Sequence, residues 1–190
     1  MSILTRERRS PGAGMEPLPP KQKWRAILIA TLILVPAYWA FLAGVVAGTD
    51  QSTSGPVAGP LIAFGLCVIP FVFIALAFLS EHPRPSSAVL RAMGLCLLVG
   101  IPVSALAADA VTGFVAGVGA GGVAALRADL AHSWKARALA VLVATLYTYV
   151  TLRIAGDLVL IVAPALPFTA LGIVDHLSER REARRAATAT

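Results

Sequence analysis

Charge is what this chain has least of: charged residues make up 14% of its 190 residues and hydrophobic ones 57%, against roughly 25% and 45–50% in ordinary soluble domains. That balance excludes a water-soluble globular protein. Cysteine is almost absent as well, with only Cys67 and Cys96. Each sits in an apolar run with no second Cys or His at ligand spacing, which argues against a disulfide framework or a zinc site and reads as two buried, inert thiols. The three histidines, His82, His132 and His176, fall in separate polar segments without HxxxH or HExxH spacing and read as solvated loop side chains. No GxSxG occurs. With no clustered ligands, nucleophile or acid–base pair, the sequence gives no support to an enzyme, a cofactor or a metal site. Basic residues are not interleaved with aromatics, which leaves nucleic acid recognition without support.

What the chain does contain is apolar runs of membrane-crossing length. Residues 1–25 are polar and broken by Pro11, Pro17, Pro19 and Pro20, and are expected to be a disordered basic tail. Passes are expected at about 26–48 and 56–79, joined by a polar connection with one carboxylate, Asp50. The stretch 80–91 reads as a loop punctuated by Pro83 and Pro85. The next 35 residues, 92–126, hold a single charge, Asp109. One helix of that length would span about 52 Å, well beyond a hydrocarbon core of about 30 Å. The segment must therefore turn, and Asp109 is the expected place, giving passes at 92–106 and 110–126 with a half-depth hairpin as the alternative. The same argument splits 138–174 near Arg153 and Asp157 into passes at 138–152 and 158–174, followed by a basic, frayed helical tail over 175–190. The expected fold class is an all-α integral membrane protein with a domain over 26–174 of about six short transmembrane helices, with four as the alternative.

Orientation follows from where the sixteen Lys and Arg lie, because basic residues are retained on the cytoplasmic side of short loops. Segments 1–25, 80–91, 127–137 and 175–190 carry fifteen of them with seven carboxylates, and the opposite turns carry Arg153 with three. Both termini are therefore expected in the cytoplasm, with the chain in the cell membrane. Trp24 and Trp134 fall at the inner boundary and Tyr147 and Tyr149 near the outer one, as an aromatic belt would.

Few residues stand out as candidate sites. Gly113, Gly117 and Gly121 are spaced by four and form a helix face that lets another backbone approach closely, within the chain or on a partner. The run GVGAGG (117–122) lacks the preceding strand and following Lys of a phosphate loop. Arg153 and Asp157 are four apart and read as an interfacial ion pair or a contact to an anionic headgroup. Asp109 is a candidate outer-turn carboxylate. Arg180, Arg181, Arg184 and Arg185 form a basic tail expected to face headgroups. Interior prolines at 36, 70, 102, 164 and 167 are tolerable where neighbouring helices satisfy the freed backbone groups.

A basic, Pro-rich N-terminus, short Ala/Gly-rich passes and a basic C-terminal tail together resemble small polytopic membrane proteins of actinobacteria. Among these are four-helix drug/metabolite-type transporters and LucB-like accessory subunits of the mycobacterial Mce lipid importer. The resemblance implies a non-catalytic accessory or scaffold subunit packed on the permease of a larger cell-envelope transport complex, with lipid or fatty-acid import as its process. The glycine face would then be laid on that partner. The alternative is a small autonomous, homo-oligomeric transporter. Either reading makes the lipid bilayer, and the first makes other integral membrane subunits, the expected partners.

Overall fold

A computed structural model describes residues 20–49, 57–126 and 162–188. Among the described residues the secondary structure is entirely helical. It comprises α1 (Pro20–Thr49), α2 (Ala58–Leu79), α3 (Pro85–Ala107), α4 (Ala110–Leu126), a 3-10 turn (Ala163–Ala165) and α5 (Leu166–Thr188). The helices α1, α2 and α3 are each long and apolar enough to cross a membrane. α4, at 17 residues, would span about 25 Å. The expected pass at 138–152 and the pair Arg153 and Asp157 lie outside the described residues, as do Asp50, His132, Trp134, Tyr147 and Tyr149.

Two antiparallel hairpins make the bundle, and both close in the same way. In the first, a Cβ placed on Gly65 of α2 would stand 2.6 Å from Phe41 Cβ and 2.8 Å from the Ala37 carbonyl oxygen, and one on Gly44 of α1 would stand 2.9 Å from the Ala58 oxygen. In the second, a Cβ on Gly117 of α4 would stand 2.6 Å from the Cys96 oxygen and 3.0 Å from Gly100 Cα. Real side chains do not fit at such distances, so hydrogens on these glycines are what let the backbones meet. The hairpins join through aromatic side chains: Phe114 of α4 stacks on Phe41 at 4.5 Å and lies 5.8 Å from Tyr38, both of α1. Phe73 of α2, fully buried, covers Gly121 of α4. Outside this core the surface is apolar, with Leu28, Leu32, Phe64, Phe71 and Leu98 all exposed, the inverse of a soluble domain.

Three boundaries differ from the sequence reading, the first at α1, which begins at Pro20 and takes in residues 20–25 of the expected disordered tail. Residues 85–91, expected as loop, form the first turns of α3, making it 23 residues long rather than a short pass over 92–106. Pro85 occupies the start of the helix, where its missing N–H would be unpaired in any case; it opens the helix instead of breaking it. Residues 162–174, expected to lie within one pass, are not a single helix. Val162 is in a turn and 163–165 are 3-10, and α5 begins at Leu166 and runs to Thr188, so the tail over 175–190, expected to be helical, continues the last pass. Pro164 and Pro167 again stand where a helix starts. Pro36, Pro70 and Pro102 lie inside continuous helices.

The α3–α4 turn needs only two residues. Ala108 takes a left-handed conformation with φ 51°, and the N–H of Asp109 donates back to the Ser104 oxygen at 3.2 Å. An L-residue in this region costs roughly 1–2 kcal/mol, while glycine in place of alanine loses about 0.5–1 kcal/mol of chain entropy. Ala108→Gly is therefore expected to stabilise the protein by about 0.5–1 kcal/mol, read as a higher midpoint in thermal unfolding in detergent.

Candidate functional site

The glycine face of α4 is occupied inside the chain. Gly113, Gly117 and Gly121 are buried and meet Ser104, Gly100, Cys96 and Ala92 of α3, with Phe73 of α2 over the last turn. The partner strip on α3 is itself a run of small residues every four: Ala88, Ala92, Cys96, Gly100 and Ser104. On the other side of α4, Gly119 meets Pro167 and Gly122 meets the ring of Phe168, both of α5. The central helix is thus covered on two sides by its own chain, and of the two placements open to the Gly113, Gly117 and Gly121 face, within the chain or on a partner, the structure shows the first. The GLC tripeptide shared by 65–67 and 94–96 has no common structural role. Gly65 is in tight contact and Gly94 is open, while Cys67 is exposed and Cys96 buried. Cys67 is therefore not the buried thiol expected of it.

Asp109 is the N-cap of α4. Its carboxylate accepts the N–H of Val111 at 3.0 Å and of Thr112 at 2.9 Å, and also the Thr112 hydroxyl. These donors, the Thr112 hydroxyl first, hold the carboxyl below its usual range. A depressed folded pKa means that the cap contributes in full at neutral pH, above the unfolded value of roughly 3.9, and that its contribution is lost as pH falls through the lower folded value. Asp109→Ala is expected to cost about 1 kcal/mol at pH 7. Asp109→Asn should keep most of the cap and flatten the acid limb of a plot of thermal midpoint against pH; an unchanged acid limb would refute this role.

At the opposite end of the bundle, α1 begins beside the α2–α3 connection. The end of α2 is a Schellman motif: Glu81 is left-handed with φ 56°, its N–H reaching the Phe78 oxygen at 3.1 Å and that of His82 the Ala77 oxygen at 3.0 Å. This turn folds His82 into the bundle at 2% exposure, where its Nδ1 accepts the Arg84 N–H at 2.9 Å. It is not the solvated loop histidine expected. Gln22 Nε2 donates to Glu81 Oε1 at 2.8 Å and ties the start of α1 to the connection, next to the buried Lys23. Nothing in the sequence spacing marked this cluster, because its members are some sixty residues apart; Pro83, just past the helix end, was the one local cue.

The same end gathers exposed guanidinium groups from four elements: Arg25 of α1, Arg84 of the connection, Arg91 of α3, and Arg180 and Arg184 of α5. α5 reaches this end because Gly172 packs beside Ile27 and Trp24 of α1. His176 is half-buried on the way. Among the described residues no three His, Cys, Asp or Glu side chains converge as metal ligands. Comparison with family models, with curated proteins and with solved structures gives no match. The geometry alone therefore defines the candidate site: a one-sided array of exposed arginines over a tied polar cap, suited to holding anionic groups.

Proposed function

We propose that this chain is a non-catalytic membrane subunit that packs against the permease of a larger cell-envelope transport complex, with lipid or fatty-acid import as the process its resemblance implies. The observation that carries the reading is the lopsided burial of α3. Its most apolar window is 11% buried, against 39% in α1 and α2, and Leu97, Leu98 and Ile101 point outward. With the small-residue faces used up inside the hairpins, this leucine-rich flank of an edge helix is the surface offered to a neighbouring subunit. The one-sided arginines support a cytoplasmic basic end in the cell membrane, with Asp109 at the outer face.

The test is recovery of the tagged protein from native membranes in mild detergent, with native-gel sizing and mass spectrometry. Stoichiometric recovery of transporter subunits, weakened by a combined Leu97→Ala, Leu98→Ala and Ile101→Ala variant, is the expected result. A small homo-oligomer with no other subunit would overturn the proposal in favour of an autonomous transporter.

A further inference from the structure

α5 changes character along its length. Its first two turns are core: Leu166, Phe168, Ala170 and Leu171 are buried, with Phe168 over Gly122 and Gly172 against α1. Beyond Gly172 the helix continues past the bundle, and there its sequence divides by face. At 100° per residue, positions 173, 177, 180 and 184 share one side, and they are Ile173, Leu177, Arg180 and Arg184. Ile173 is 37% and Leu177 50% exposed, and both arginines are exposed. Cations near a helix C-terminus suit its dipole, but the dipole gives no reason for two apolar side chains to share their face.

We infer that the outer half of α5 is a docking face for anionic lipid headgroups, with Ile173 and Leu177 at the acyl boundary and Arg180 and Arg184 in the headgroup layer. The distances agree. Arg180 stands about 4–5 Å and Arg184 about 10 Å beyond Leu177 along the axis, and the headgroup layer is roughly 5–8 Å deep on each side. Arg180 is at headgroup depth, and Arg184 lies within a Debye length of about 10 Å from it. Any tilt of α5 toward the surface brings both nearer. Basic side chains one to two turns beyond an apolar pair are placed to reach the headgroups of an anionic leaflet. Arg25, Arg84 and Arg91, exposed at the same end, extend the array over the bundle. The inference is independent of which subunit meets α3.

The full chain would be placed in nanodiscs of phosphatidylcholine alone or with about 30% phosphatidylglycerol, at about 50 mM and about 500 mM salt. Trypsin cleavage after residues 181 and 185 would be followed by mass spectrometry. Cleavage is expected to be about tenfold slower with phosphatidylglycerol at low salt. The difference should collapse at high salt, disappear in a combined Arg180→Gln and Arg184→Gln variant, and survive in Arg180→Lys with Arg184→Lys. Retained protection of Cys96 from thiol reagents shows that each variant is folded. Equal cleavage in the two lipids would overturn the inference. So would protection that appears only when an acidic membrane protein is added to phosphatidylcholine discs, because the face would then be a protein contact.

Discussion

Gly117→Leu is expected to break the α3–α4 hairpin and leave little folded protein in detergent. Even the first added carbon would stand 2.6 Å from the Cys96 oxygen and 3.0 Å from Gly100 Cα, and both are backbone atoms that no rotamer change can move. Overpacking of a well-fitted site costs about 1–3 kcal/mol and sometimes more. Here the helices must separate, which also undoes the contacts at Gly113 and Gly121. Gly117→Ala samples the same clash in mild form, offset by the roughly 1 kcal/mol that alanine gains over glycine in a helix, and should still lower the midpoint. Gly94→Ala isolates that propensity term, since nothing lies within 4 Å of its Cβ position, and should raise the midpoint. Thermal ramps with a fluorogenic thiol reagent can follow all three in a Cys67→Ser background, because Cys67 is exposed whereas Cys96 is buried and becomes reactive on unfolding. A Gly117→Ala protein as stable as Gly94→Ala would show that the helices do not touch there.

Phe168→Ala is expected to have the second largest effect, and a different one. The ring is fully buried and lies over Gly122, so α4 has no side chain of its own at that point to fill the space. Truncating a buried phenylalanine costs about 3–5 kcal/mol, or roughly 6–20 °C in a chain of this size. Phe168→Leu should recover much of it. The loss should be local before it is global, because Phe168 with Pro167 and Gly172 anchors α5 to the bundle. Proteolysis of α5 is expected to accelerate at temperatures where Cys96 is still protected. Phe73→Ala removes the same ring from between the two hairpins and should expose Cys96 together with everything else. If both variants lost α5 and the core at one temperature, α5 would be part of the central cooperative unit.

The sequence and the structure agree where one strong physical term dominates. Apolar runs too long for one crossing required a break between 92 and 126, and Asp109 marked it because a carboxylate there caps a helix. The spacing of Gly113, Gly117 and Gly121 showed a close-packing face, since glycines four apart share a side of any helix. The occupant of that face was not legible: Ala92, Cys96, Gly100 and Ser104 repeat the same period with four different residue types, so a search for glycines alone passes over them. Gly44 and Gly65 were missed for a related reason, because each is the single close point opposite alanine or phenylalanine. Pro85 misled because proline ends a helix from within yet suits its first turn. The burial of His82 was beyond local reading, because it depends on a left-handed glutamate and on the start of a helix some sixty residues earlier.

The two hairpins also bear on how the chain is made. The glycine contacts of the first lie between Ala37 and Gly65, and those of the α3–α4 seam between Ala92 and Gly121, so each closes with residues near in sequence. Loop closure grows costly only slowly with length, and chains are synthesised at about 5–20 residues per second. All partners of the first hairpin have been synthesised before Pro85 is added, and it can close without waiting for the second. Cys96 provides a clock for the later step: on stalled chains of increasing length, its protection from thiol reagents should begin only once Gly117 has emerged.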